Sequence, residues 1–383
     1  KEEKKFPALS RGKAARGFMD LTAYFARYHA NTLAGSGNQS WFSLAGERTG
    51  RVFYQVFAGG EYRWSPLFSD AIFTTYADGA HSRAGMTLGR WRVCSARIGV
   101  TRRAEKTGFA EPAALHPLAF GGAPGYQPQP GEAFFADPVS LRAESGDYIC
   151  LEVTICGERI PFHPETLLPC FVKTASGWAP SAETLFAAML GCDRPARLRV
   201  GFLGDSITQG CGTTPNAYAH WTACLARRLP ADCAYWNLGL GYARASDAAG
   251  DGEWLRLARQ NDAVFLCLGT NDICQGYPVD AIRKSLAGIV GKLRAAGVSV
   301  LLQSLPPFDY AGERRETWFA VNNWLKSDLS RQTDAFFDCV PVLSQGPDAP
   351  WASRFGAHPD DTGCARWAEA LLPTARAFLE GRG

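Results

Sequence analysis

The sequence predicts two domains of different class: an all-β sandwich or jelly roll, then an α/β domain built on a parallel sheet. Three observations carry this. The chain has 383 residues, long for one domain and comfortable for two. From about residue 40 to 180, short runs rich in aromatic and β-branched residues are separated by Gly, Pro, Asp and Ser clusters. After about residue 195, apolar strand-like runs alternate with longer helical patterns. We place the division so that residues 1–190 form the sandwich domain and 191–383 the α/β domain.

The first half opens with "ARGFMDLTAYFARYHANTLA", whose apolar spacing predicts one helix over 15–34. "RVFYQVFAG", "AIFTTYADG", "WRVCSARIGVT", "PVSLRAE", "YICLEVTIC" and "LLPCFVKTASGW" follow as strands. Between them, "EPAALHPLAFGGAPGYQPQPGEAFFADP" is rich in Pro and Gly and reads as an ordered loop crossing the sandwich. In the second half the strands are "RLRVGFLG", "CAYWNLG", "DAVFLCLG", "VSVLLQSLP" and "AFFDCVPV". Helical stretches lie between them, and "GCARWAEALLPTARAFLE" closes the chain as a last helix. Five β-α repeats imply a parallel sheet covered on both faces. In such sheets a site lies beyond the carboxyl ends of the strands.

Composition narrows the function classes. Hydrophobic residues make up 46% and charged residues 20%, with a net charge of +3, so no strong field points at nucleic acid or an anionic membrane. No apolar run is long enough to span a bilayer, and the charged start "KEEKKFPALSRGKAARG" lacks a signal-peptide core. Twelve cysteines are scattered, without C-x-x-C pairs, and several sit in apolar runs. They read as buried reduced thiols acting as small hydrophobes, which favours a cytoplasmic over a secreted setting.

Four features fall in order, each just after a predicted strand or in the final loop. They are Ser206 in "GDSITQG", the glycines of "NLGLGYARA", Asn271 in "LGTNDI" and His358 in "GAHPDDTG". Each alone has a bland reading: Asp205 and Ser206 could cap a helix, Asn271 and Asp272 could shape a turn, and His358 could be a surface loop histidine. Together, in this order and context, they are far more specific.

On these residues the chain resembles the SGNH, or GDSL-type, hydrolases over roughly residues 197–380. The resemblance implies a flavodoxin-like three-layer domain and a carboxylic ester hydrolase with no metal and no other cofactor. It assigns Ser206 as nucleophile and His358 as base. A serine hydroxyl attacks only when a base takes its proton, and the same histidine then protonates the leaving alcohol. The oxyanion needs donors already in place: the Ser206 and Gly241 backbone N–H groups and the Asn271 amide. Asp205 and Asp272 are expected to brace their loops.

Two departures from the family pattern stand out. Counting from Asn237, the usual glycine position lands on Tyr242, with Gly241 one residue earlier. The usual Asp three residues before the histidine is Phe355, which cannot orient an imidazole by hydrogen bonding. Three arrangements answer this: a backbone carbonyl near 355–356 holds the ring in a Ser–His dyad, Asp348 or Asp360 substitutes, or the site is weakened.

Rival chemistries lack their signs: there is no G-x-S-x-G elbow, no P-loop, no complete dinucleotide fingerprint and no H-E-x-x-H. His220 reads as structural, and His29, His81, His116 and His163 carry no motif. A sandwich ahead of such a domain is similar to the layout of bacterial carbohydrate esterases that remove acetyl groups. Trp351, Tyr277 and Tyr242 are therefore candidates for substrate contact, with Trp254, Trp318 and Trp324 weighed between substrate and core. The expected function is hydrolysis of short-chain acetyl esters, on carbohydrates, with a saccharide ester as partner and neither nucleic acid nor membrane. The alternatives are an inactive domain serving as a glycan-binding protein, or a lipase or thioesterase of the same family.

Overall fold

A computed structural model describes residues 20–35, 40–42, 46–73, 86–87, 90–163, 166–250 and 252–381. The predicted first helix is shorter than its pattern. It runs Leu21–Arg27, with the Asp20 carboxylate accepting from the Thr22 and Ala23 N–H groups. His29–Ala30 then turns into a strand against Met189–Cys192, so tertiary pairing overrides helical spacing there. Positions 15–19 of the predicted helix, 74–79 of "AIFTTYADG" and His81 lie outside the described residues.

Among the described residues, two large antiparallel sheets, with three two-stranded ones beside them, build the first half. One has the order 116–118, 91–101, 148–157, 47–55, 170–174, 177–180. The other centres on Gly60–Ser69, flanked by Met189–Cys192 on one side and by Ala133–Phe135 and Val139–Ala143 on the other. Gly60–Ser69 was not anticipated, because Pro66 normally argues against a central strand. Here Pro66 faces Leu190, and its carbonyl accepts from the Ala136 N–H. The stretch read as a crossing loop also contributes two short strands, His116–Leu118 and Ala133–Phe135. Aromatic side chains join the sheets: Phe134 lies 5.4 Å from Phe68 and 5.9 Å from Trp91, ring centre to ring centre. None of the twelve cysteines, all among the described residues, is in a disulfide, and Cys94 and Cys156 bring their sulfurs to 2.9 Å across a bulge in the larger sheet.

The second half is a parallel sheet in the order 234–239, 199–204, 263–267, 299–303, 335–337. Alternate side chains leave opposite faces, as the pleat requires. Phe202, Phe265 and Leu301 pack with Trp221, Trp367 and Phe378 on one face. Leu203, Val264, Leu266, Val300 and Leu302 pack with Leu257, Ile282, Leu286 and Trp318 on the other. Helices thus cover both faces. The strand order reverses beside 199–204, and a crevice opens beyond the carboxyl ends at such a point.

The two halves share apolar core and polar seams. The Gln55 N–H donates to the Tyr218 hydroxyl at 3.0 Å, and the Asn216 amide donates to the Ala104 carbonyl at 2.8 Å. The 190/191 division falls inside the strand Met189–Cys192, and the first parallel strand begins at Arg199. No helix among the described residues is long and apolar enough to cross a membrane.

Candidate active site

The strand Arg199–Gly204 ends in Asp205, which caps the four-residue helix Ser206–Gln209 and accepts from the Ile207 N–H at 3.0 Å. The turn is tight because two glycines let backbones touch. A Cβ on Gly204 would lie 2.5 Å from the Cys267 carbonyl oxygen, and one on Gly239 would lie 2.1 Å from the Gln209 nitrogen. The little helix therefore sits directly on the ends of the neighbouring strands 199–204 and 234–239 and holds Ser206, partly exposed, at the switch point.

His358 reaches this serine from the last loop. Its Nε2 lies 2.8 Å from Ser206 Oγ. The approach depends on Gly212, whose φ is +93° and whose Cβ would stand 2.8 Å from the His358 Cβ. The two loops are also tied together by Asp361, which accepts from both the N–H and the hydroxyl of Thr214 at 2.7 Å. The Phe308 ring meets the imidazole edge to face, at 5.3 Å and 75°. Burial alone pulls the His358 pKa below the ordinary imidazole value.

The structure does not place the expected carbonyl or carboxylate on this ring. The Phe355 carbonyl accepts from the Asp360 N–H, and Asp360 Oδ1 accepts from the Gly363 N–H. Among the described residues the imidazole makes one hydrogen bond, to Ser206. Phe355 packs against Gly363, with the Arg354 and Arg366 guanidinium groups 5.5 Å and 5.9 Å from its ring centre. The position is thus occupied by a packing residue, for which an Asp at that place has no counterpart.

The expected oxyanion donors lie on loops leaving three adjacent strands. Gly241 and Tyr242 form the middle of a turn in which the Ala243 N–H donates to the Leu240 carbonyl. Asn271 stands on the helix Thr270–Cys274, and its amide donates to the Ala243 carbonyl at 3.0 Å. A side-chain amide carries two N–H donors, so one is left for another acceptor. Asp272 accepts from the Ala245 N–H at 2.8 Å and ties the same two loops together. Arg244 adds a third tie, pairing with Asp247 at 2.8 Å and donating to the Tyr277 hydroxyl at 2.7 Å.

Asp205 and Asp272 are both buried, and burial pushes each carboxyl up to about 7. Burial acts the other way on histidines, pulling His220 down to about 4 and His163 down to about 3. His220 donates to the Leu33 carbonyl and His163 meets the Gln209 amide, so both stitch the first half onto the second. Among the described residues no group of three or more His, Cys, Asp or Glu side chains is arranged to hold a metal.

The aromatic candidates separate by burial. Trp254 and Trp318 are core, each about 2% exposed, and their indole N–H groups are spent on backbone carbonyls. This corrects any substrate role for them. Trp324 is half-buried, with the Arg283 guanidinium 5.8 Å from its ring centre. Trp351 is half-buried beneath the Arg315 guanidinium, at 4.6 Å, and Tyr277 is held by Arg244. Tyr242, in the left-handed region at φ +60°, is 36% exposed and stands in the candidate oxyanion turn. Sequence reasoning missed Phe308, Asp309, Thr214 and Arg244. The one signal for the first two was their place in "LPPFDY", just past the fourth parallel strand.

Residues 202–366, less than half of the chain, match the model of the GDSL-like lipase/acylhydrolase family. Solved structures similar to part of this chain include a psychrotrophic esterase, EstA, from Pseudoalteromonas sp. (18% identity, 48% of this chain and 98% of that one, TM-score 0.39). A member of the lipolytic protein G-D-S-L family from Veillonella parvula DSM 2008 gives 18% identity, 46% and 96% coverage and a TM-score of 0.38. Axe2, an acetylxylan esterase from Geobacillus stearothermophilus, gives 18%, 47%, 94% and 0.37. No curated protein matches.

Proposed function

With residues 202–366 belonging to the GDSL-like lipase/acylhydrolase family, we propose that the chain is a serine esterase acting on short-chain acyl esters, acetyl groups on a saccharide above all. The observation that carries the mechanism is the 2.8 Å contact between Ser206 Oγ and His358 Nε2. In this reading His358 takes the hydroxyl proton as Ser206 attacks the ester carbonyl. The tetrahedral oxyanion is met by the Ser206 and Gly241 N–H groups and the remaining amide proton of Asn271. His358 then protonates the leaving alcohol, an acyl-enzyme forms, and water activated by His358 releases the acid.

The two halves are read as an accessory domain, 1–190, with the character of a jelly-roll sandwich, and a hydrolase domain, 191–383. Their shared seams at Gln209 and His220 support a bracing role for the first on the nucleophile helix. Tyr242, exposed in the turn, is the aromatic best placed to stack on a sugar ring.

The test is substrate competition. Release of acetate from acetylated xylo-oligosaccharides is compared with hydrolysis of aryl acetate, aryl octanoate and an acyl thioester. The proposal expects the acetylated saccharide to give the highest kcat/KM and Tyr242→Ala to raise its KM. Preference for the octanoate or the thioester would move the assignment to a lipase or thioesterase. Saccharide binding without turnover would move it to a glycan-binding protein.

A further inference from the structure

An imidazole that acts as base needs a fixed ring plane and a fixed distance to the serine. In this chain neither comes from a carboxylate on the ring. What the structure offers instead is a corner formed by Phe308 and Asp309, just past the fourth parallel strand. Asp309 has φ +54°, in the left-handed region that Asp tolerates better than most residues. From there it grips the loop that leads to His358 at three points. Its Oδ1 accepts from the Ser353 N–H at 2.8 Å, its Oδ2 accepts from the Ser353 hydroxyl at 2.6 Å, and its own N–H donates to the Trp351 carbonyl at 3.1 Å.

Ser353 is itself buried and well anchored. It bridges Ser344, its carbonyl accepts from the Gln345 side chain at 3.0 Å, and the next residue, Arg354, donates to the Leu343 carbonyl. The grip at 351–353 therefore sets where the chain departs, five residues before His358. The adjacent residue completes the clamp: Phe308 lays its ring edge to face against the imidazole itself. One two-residue corner thus fixes both the loop and the ring.

We infer that Phe308 and Asp309 are the positioning residues for His358, Asp309 holding the histidine loop through Ser353 and Phe308 holding the imidazole plane. This inference rests on the Ser206–His358 reading and says what makes that pair serviceable without a third polar member. Neither residue touches the reacting atoms. Asp309 acts through Ser353, and Phe308 acts through the ring.

The experiment uses the full chain with Asp309→Ala, Asp309→Asn, Phe308→Ala and Phe308→Tyr. Steady-state kinetics of aryl acetate hydrolysis, pH profiles and thermal melts are measured for each. Asp309→Ala is expected to lower kcat by at least about ten-fold with KM changed less than about three-fold, the pattern of a group lost to the transition state alone. Asp309→Asn keeps one acceptor and falls between. Phe308→Ala is expected to wet the ring and raise the apparent pKa of the rate toward the ordinary imidazole value, while Phe308→Tyr retains the native profile.

Native kcat in Asp309→Ala, or a loss that only mirrors a lower folded fraction with the pKa unmoved in every variant, would overturn the inference. Failure of the underlying reading looks different. Native protein no faster than Ser206→Ala would remove the esterase reading itself. NMR titration of the His358 ring, identified among six histidines by its loss in His358→Ala, would then still decide whether the corner holds it. An unchanged titration in Phe308→Ala would reject the clamp.

Discussion

Ser206 Oγ and His358 Nε2 lie 2.8 Å apart although 152 residues separate them in the chain. That contact joins the end of the first parallel strand to the loop before the last helix. It does so because Gly212 lets one loop lie against the backbone of the other and Asp361 binds Thr214 across the gap. The Phe308 ring lies edge to face against the imidazole, which is largely buried.

The pH profile of kcat/KM should rise with pH through a single transition lying below the ordinary imidazole value of about 6.5. The sign follows from the proton balance. Only neutral His358 can take the Ser206 proton, and burial favours the neutral ring, so activity persists to lower pH than for an exposed histidine. A profile flat from about pH 4 to 8, or one centred above the ordinary value, would remove His358 as base.

Phe355→Asp should not raise kcat. The Phe355 side chain points into Gly363 and lies near the Arg354 and Arg366 guanidinium groups. A carboxylate placed there is expected to pair with those arginines rather than with His358. A gain of ten-fold or more, on the order of 1.4 kcal/mol, would show that the native ring is under-oriented and that the loop can rearrange.

Asn271→Ala should cost kcat about 10²–10³-fold with little change in KM, the usual consequence of removing one oxyanion donor. The same change frees the Ala243 carbonyl, so a melt belongs beside the kinetics. Equal losses in kcat and 1/KM would point instead to general disruption of the 240–243 turn.

Gly239→Ala should destabilise the fold by roughly 1–3 kcal/mol or more, because its Cβ would strike the backbone of the nucleophile helix. The melting temperature and the kinetics should fall together. A stable, fully active variant would mean that the helix sits farther from the sheet than 2.1 Å from such a Cβ implies.

Asp272→Asn should gain stability relative to the native chain as pH rises. The Asp272 carboxyl stands near 7 in the folded chain and near 3.8 when unfolded. Between these values the folded state holds the proton that the unfolded state has lost, so folding weakens with rising pH through that window. An amide cannot ionise and escapes the penalty while still accepting from the Ala245 N–H. Denaturant melts at pH 4 and pH 8 read the difference, and an identical gap between variant and native at both would contradict it.

Much of the second half was legible because its grammar is local. Runs such as "DAVFLCLG" and the periodic "VDAIRKSLAGIVGKLRAAG" announce their own structure, and strand and helix lie at 263–267 and 279–295. In the first half, Trp91–Thr101 coincides with its apolar, β-branched run. Gly60–Ser69 was hidden by Pro66 and by interleaved Arg and Ser, since its place at the centre of a sheet is decided by partners 64–68 and 122–128 residues away. The same distinction runs through the site. Ser206, Asn271 and His358 sit in short motifs, whereas Asp309 is defined by Ser353, 44 residues on, and no local pattern marks such a pair.

Covalent labelling reads out whether His358 activates Ser206. The chain is treated with a fluorophosphonate, digested and mapped by mass spectrometry, for the native protein and for His358→Ala. One adduct is expected, on Ser206, formed rapidly in the native protein and slower by orders of magnitude in the variant. An unlabelled native Ser206, or equal labelling with and without the histidine, would contradict it.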